Sequence, residues 1–189
     1  MSIARRAASH AATCTVLAVL VAAILASLPA GRAWARSAPG GIAASAPKPS
    51  AVPVGEAELL AGRAIPPAEA PAAVRQVIAA ANRIRTRPYV WGGGHGRWWD
   101  RGYDCSGAVS YALHGGRLID SPLPSGPMTH WGSPGPGRWI TVYANAGHAY
   151  AVIAGLRWDT AGNSSESGPR WHTDMASTSG FVARHPEGY

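Results

Sequence analysis

The chain has 189 residues and a formal charge of +7, with 47% hydrophobic and only 14% charged residues. That length suits one ordinary domain with extensions and excludes two good-sized cores. The basic charge is almost all arginine, with Lys48 the sole lysine, and no nucleic-acid-binding motif accompanies it. This argues against a nucleic-acid partner and for an anionic environment.

Residues 1–35 read as a targeting segment. Arg5 and Arg6 form a basic start, an uncharged apolar run follows from about Ala11 to Leu28, and Ala33-Trp34-Ala35 offers a small-x-small cleavage site. Roughly 18 apolar residues also just span a bilayer, so two readings stand: a cleaved signal peptide, or an uncleaved anchor that puts the chain on a membrane. Removing residues 1–35 takes away three arginines and no acid, leaving +4, and it removes Cys14, so that Cys105 becomes the only thiol. Such a cysteine makes no internal disulfide; it is a buried inert thiol, an intermolecular bridge or a reactive group.

Residues 36–70, rich in Ala, Pro, Gly and Ser, predict a flexible linker with a short helical turn at Glu56–Gly62. The folded domain is expected to run from Pro71 to Tyr189. Val74, Val77, Ile78, Ala81 and Ile84 recur at helical spacing, which predicts an amphipathic helix over 71–86, stopped by Pro88. Tyr89-Val90-Trp91 is extended and enters a glycine run at 92–96. A second helix should start at Cys105 with Asp104 as its N-cap, turn Val109, Ala112 and Leu113 inward, and end at Gly115-Gly116. Residues 117–137 read as a wrapping loop. Alternation predicts strands at Arg138–Ala144 and His148–Ala154, with Gly155 turning the chain into Leu156–Thr160. Residues 161–170 form a polar loop, and a last strand covers Gly180–Arg184. Helices followed by an antiparallel sheet define an α+β domain.

The chemistry concentrates at Cys105 and at His148, 43 residues later. A thiol attacks only as its thiolate, and a helix N-terminus together with an imidazolium lowers a cysteine pKa. The same helix start offers free N–H groups to an oxyanion. Asp159, on the strand after the turn at Gly155, is the candidate to orient the imidazole, because residues near the outer ends of a hairpin lie side by side. The plainer readings are a core histidine for His148 and a turn residue for Asp159. The glycine run lacks the Gly-Lys-Ser/Thr of a nucleotide loop, and without CxxC or HxxxH spacing no metal site is expected. Trp98 and Trp99, beside Asp100 and Arg101, are candidates to line an exposed cleft.

Tyr89-Val90-Trp91-Gly92-Gly93, Asp104-Cys105-Ser106-Gly107 and Gly147-His148 before an alternating apolar strand resemble, in order and spacing, the NlpC-type cell-wall cysteine peptidases. The likeness covers about residues 71–160. It implies a papain-like fold, with the nucleophile at a helix start packed on the sheet, and an extracytoplasmic enzyme that hydrolyses peptidoglycan stem peptides. It implies Cys105 as nucleophile, His148 as base, Tyr89 near the thiol or oxyanion, and Ser106 in contact with substrate. The family's third polar residue is often a histidine about a dozen positions past the base; here Asp159 stands in that neighbourhood, with His172 as the fallback. The chemistry calls for no cofactor, and a monomer is expected. The rival readings are an amidase or acyltransferase on the same scaffold, and a non-catalytic wall-binding module.

Overall fold

The computed structural model describes residues 55–162 and 168–189. The expected targeting segment at 1–35 and the linker up to residue 54 lie outside the described residues. Within 55–70, where a helical turn was expected, the chain forms a β-hairpin: β1 (Glu58–Leu60) pairs antiparallel with β2 (Arg63–Ile65). Its turn places both Ala61 and Gly62 at positive φ, 48° and 72°, the conformation two-residue hairpin turns require. Ala64 is buried, and the Asn82 side chain clamps its backbone, accepting from Ala64 N at 3.1 Å and donating to Ala64 O at 2.8 Å. The hairpin is therefore part of the packed domain, which takes in residues from Gly55 onward.

Helix α1 (Ala72–Ile84) forms as the periodicity predicts and buries Val74, Val77, Ile78, Ala81 and Ile84. Each such aliphatic burial stabilises the fold by ~1.5–3 kcal/mol. Helix α2 (Cys105–Gly115) differs from the one-sided helix expected, since every residue from Ser106 to Leu113 is buried. It runs between α1 and the sheet, and a helix apolar all round is one enclosed on both sides. The 117–137 segment is not purely loop; it contains the single turn α3 (Ser125–Met128) and a two-residue strand, β3 (Ser133–Pro134).

The sheet is completed by β4 (Ile140–Ala144), β5 (Ala149–Ile153), β6 (Leu156–Asp159), β7 (Arg170–His172) and β8 (Val182–His185). All pairings are antiparallel, in the spatial order β3-β8-β4-β5-β6-β7. Strand β7 begins at Arg170, expected as the end of the 161–170 polar loop, and takes in two residues for which no element was expected. Ala154 and Gly155, at φ 46° and 81°, make the tight turn between β5 and β6 and set Ala151 opposite Trp158. The Trp158 indole N–H donates to the Ala108 carbonyl at 3.1 Å, joining sheet to helix α2. The architecture is α+β, with Cys105 at a helix start packed on an antiparallel sheet.

Candidate active site

Three elements deliver the site. Asp104 caps α2 through Gly107 N at 2.7 Å, so Cys105 stands in the first helical turn. His148 stands just ahead of β5, held by a tight turn in which Asn145 Oδ1 accepts from both Gly147 N and His148 N at 2.9 Å. Asp159 closes β6. The register of the β5–β6 hairpin brings it to His148: His148 Nε2 lies 2.9 Å from Asp159 Oδ1. That contact leaves Nδ1 as the ring nitrogen available to the thiol, and the imidazole and the thiol shift one another's pKa.

The electrostatics follow from these contacts. The Asp159 hydrogen bond, then that to Cys105, outweighs burial and pushes the His148 pKa up from 6.5 to about 9. Burial alone would raise the Cys105 thiol. The His148 hydrogen bond, the Ala149 backbone N–H and the imidazolium charge overcome that and pull it down. Burial likewise opposes ionisation of Asp159, but bonds from His148 and Ala161 N and the Arg157 charge hold it low. A depressed thiol beside a raised imidazole is the condition for a thiolate–imidazolium pair at neutral pH.

Arg157 is a part of the site that composition and spacing did not reveal. Only 4% exposed, it donates through Nη1 to Asp159 Oδ2 at 2.8 Å, through Nη2 to Asp174 Oδ2 at 2.8 Å and through Nε to Asp174 O at 3.0 Å. It fixes the far side of the carboxylate that orients the imidazole. His172 is opposite Arg157 in the β6–β7 ladder and has no hydrogen bond to His148 among the described residues. Burial, then the Arg157 charge, lowers its pKa and keeps it neutral. The geometry gives the place beside His148 to Asp159.

In front of the thiol lies an open groove of about 440 Å³ whose wall includes Tyr89, Trp91, His95, Ser106, Pro124 and Gly147. Tyr89 is bridged in parallel to Tyr103, with Val90 N donating to Tyr103 O at 3.3 Å, which straps this segment beside the start of α2. Burial, and then the nearby Cys105 and Asp104 charges, raises its pKa, so its hydroxyl stays a donor. Ser106 is at the groove but largely buried, donating to Asp104 Oδ1 at 3.2 Å. His95, not singled out in the sequence, sits with Nε2 3.0 Å from Asp104 Oδ1 and 3.1 Å from Ser106 Oγ. The strap and helix meet closely: a Cβ on Gly107 would lie 2.0 Å from Gly93 O. Among the described residues, no group of three or more His, Cys, Asp or Glu is arranged to hold a metal ion, and no helix is long and apolar enough to cross a membrane.

No family model and no curated protein matches the chain. Solved structures do. It is similar to the peptidoglycan hydrolase RipB of Mycobacterium tuberculosis, at 24% identity and a TM-score of 0.48 over 66% of this chain and 70% of that one. It is also similar to a hypothetical invasion protein of Mycobacterium tuberculosis, at 22% identity and a TM-score of 0.45. That match covers 59% of this chain and only 61% of the other. A mutated form of the resuscitation promoting factor interacting protein RipA matches at 22% identity and a TM-score of 0.46, over 70% and 69% of the two chains.

Proposed function

We propose that the chain is an extracytoplasmic cysteine peptidase that hydrolyses amide bonds in the stem peptides of peptidoglycan. The observation that carries this reading is the continuous contact from Cys105 through His148 to Asp159, with the thiol pKa lowered and the imidazole pKa raised to about 9. The motifs around Tyr89 and Cys105, the net positive charge and the wall-hydrolase name of a structural neighbour, RipB, support the substrate class. Residues 1–35 would export the chain and the segment after them would tether the domain.

The reaction runs in two halves. The Cys105 thiolate attacks the amide carbonyl carbon, forming a C–S bond while the carbonyl π pair moves to oxygen. First-turn amides of α2 receive that oxyanion; Gly107 N is already taken by Asp104, which leaves the N–H groups of Cys105 and Ser106. The Tyr89 hydroxyl, kept protonated, is a third donor. As the tetrahedral intermediate collapses, imidazolium Nδ1–H of His148 gives its proton to the departing amine and the C–N bond breaks. The now neutral imidazole takes a proton from water, whose oxygen attacks the thioester. Breaking of the C–S bond restores the thiolate–imidazolium pair, and one water has been added per bond cut. Asp159, braced by Arg157, orients the ring throughout.

Mass spectrometry of purified muropeptides after incubation with the protein tests the reading. Cleaved stem peptides gaining one water, from the unmodified chain and not from Cys105→Ala, are expected. Cleavage that survives Cys105→Ala would refute it, and products carrying an amine acceptor in place of water would assign an acyltransferase instead.

A further inference from the structure

The imidazole at the centre of the site is held less firmly than the carboxylate beside it. The His148 side chain keeps 28% of its surface in solvent, against 2% for Asp159. Its hydrogen bond to Asp159, at 2.9 Å, is made through Nε2. In an imidazole that atom lies closer to the Cβ–Cγ axis than Nδ1 does. Rotation about this bond is soft, because it joins an sp³ to an sp² carbon. The Asp159 contact therefore leaves the ring free to swing, with Nδ1 moving further than Nε2. A second contact, made to the ring itself, has to fix its plane.

Phe181, the only phenylalanine of the chain, makes that contact. Its ring meets His148 edge to face, with centroids 6.2 Å apart and planes at 78°. It meets Tyr150 in the same manner, at 5.2 Å and 73°. Tyr150 is buried, stacks on Tyr143 at 5.0 Å and lies 6.4 Å from the imidazole. Such ring pairs are directional as well as apolar. The backbone brings Phe181 there in two ways. It stands just ahead of β8, where Val182 pairs with Ala144, and its N–H donates to Thr178 O at 3.1 Å in a turn with Gly180 at φ 78°. Asn145 ties that turn to the base: Nδ2 donates to Gly180 O at 3.4 Å, while Oδ1 holds the amides of Gly147 and His148. Phe181 is not part of the groove wall. The titratable groups acting on His148 are Asp159 on β6 and Cys105 on α2. Tyr150, with its pKa pushed up to about 12 mainly by burial, faces it as a neutral ring.

We propose that Phe181 is a positioning residue for the base, packing on the His148 ring so that Nδ1 faces the thiol while Nε2 stays on Asp159. The C-terminal stretch of the chain thereby completes a site whose reacting groups lie on α2, β5 and β6. The inference rests on the reading of His148 as the base that partners Cys105. A ring that merely fills space can be exchanged for an aliphatic side chain of similar bulk. A ring that sets the plane of the imidazole cannot.

The test compares Phe181→Leu, which keeps apolar bulk and loses the ring, with Phe181→Tyr, which keeps the ring. Both are made in the full chain and measured below their melting transitions. The first readout is alkylation of Cys105 by iodoacetamide against pH, followed by mass spectrometry of the peptide that carries it. Burial raises the thiol pKa, and the His148 imidazole is the largest influence that lowers it. Loss of the ring's orientation in Phe181→Leu should therefore move the midpoint up by at least about half a pH unit. Phe181→Tyr should stay at the unmodified midpoint. On a stem peptide, Phe181→Leu should lose at least ~10-fold in kcat with KM unchanged, and Phe181→Tyr should recover most of it. A merely structural role would lower the melting temperature and leave midpoint and kcat of the folded variant as they were. That result, or a rise in KM alone, would overturn the proposal. If Phe181→Leu does not fold, Phe181→Met, flexible enough to fill the same space, takes its place under the same expectations. Alkylation needs no substrate, so failure of the peptidase reading would show separately, as the expected midpoints with no stem peptide cleaved.

Discussion

Replacing Cys105 by alanine should make the stability of the fold depend more steeply on pH than that of the unmodified protein does. His148 has its pKa raised from 6.5 to about 9 on folding. Its contribution is fully present below pH 6.5 and is lost as pH rises through about 9. Cys105 runs the other way. Its folded pKa lies below the ordinary value of 9.0, so its contribution grows as pH rises from the lowered value toward 9. Between these limits the folded pair holds one proton on the imidazole and the unfolded chain holds one on the thiol, so little net proton uptake accompanies unfolding. One unmatched proton gives a slope of about 1.4 kcal/mol per pH unit. The unmodified protein should therefore vary less with pH between 7 and 8.5 than a chain without the thiol, because the two contributions run in opposite directions. In Cys105→Ala the thiol no longer compensates, and the His148–Asp159 contact still holds the imidazole above its free value. Its unfolding free energy should fall by ~1–2 kcal/mol over the same range. Urea melts monitored by tryptophan fluorescence in steps of half a pH unit measure both slopes. A variant as flat as the unmodified protein would refute the ion pair, whatever the chain acts on.

Asp159→Asn removes the largest cause of the raised His148 pKa, so the alkaline limb of kcat/KM should move from near 9 toward neutrality. Activity at pH 8 should drop by ~10²–10⁴-fold; an unmoved limb in a folded variant would show that Asp159 does not orient the ring. Gly107→Ala would drive a Cβ to 2.0 Å from Gly93 O and push the Tyr89 strap off the helix start. It should cost ~1–3 kcal/mol in urea stability and lower activity further than that loss explains. Asn82→Ala strips hydrogen bonds from Ala64 N, Ala64 O and the Trp171 indole, for ~2–4 kcal/mol. Because Asn82 lies away from the groove, kcat at a temperature where the variant stays folded should not change.

The parts legible in the sequence were those written in short range. Asp104 announces the start of α2 by its own capping bond, and the two-residue turn at Ala154-Gly155 fixes a register that carries Asp159 back to His148. What stayed hidden depends on partners far along the chain. The β1–β2 hairpin has three-residue strands, too short to show alternation, and its turn uses Ala61 where glycine or asparagine would be the signal. It is held by Asn82, 18 residues away. Strand β7 is equally short and is set by pairing with β6. Arg157 looks like a solvated strand charge until Asp159 and Asp174 are seen on its two ends. Asn145 and His95 act on neighbours through side-chain bonds that no periodicity encodes.

The indole of Trp158 rivets the strand next to Asp159 to the middle of the helix that begins with Cys105. That bond ties the helix to the β5–β6 hairpin, so the spacing of sulfur, imidazole and carboxylate is set by the scaffold. The groove wall around Pro124 and Gly147 comes from the periphery instead. Selectivity is thereby uncoupled from reactivity. Substitutions along the rim at Pro124 or Gly147 should therefore change what fits the groove and leave the spacing of sulfur, imidazole and carboxylate as it is.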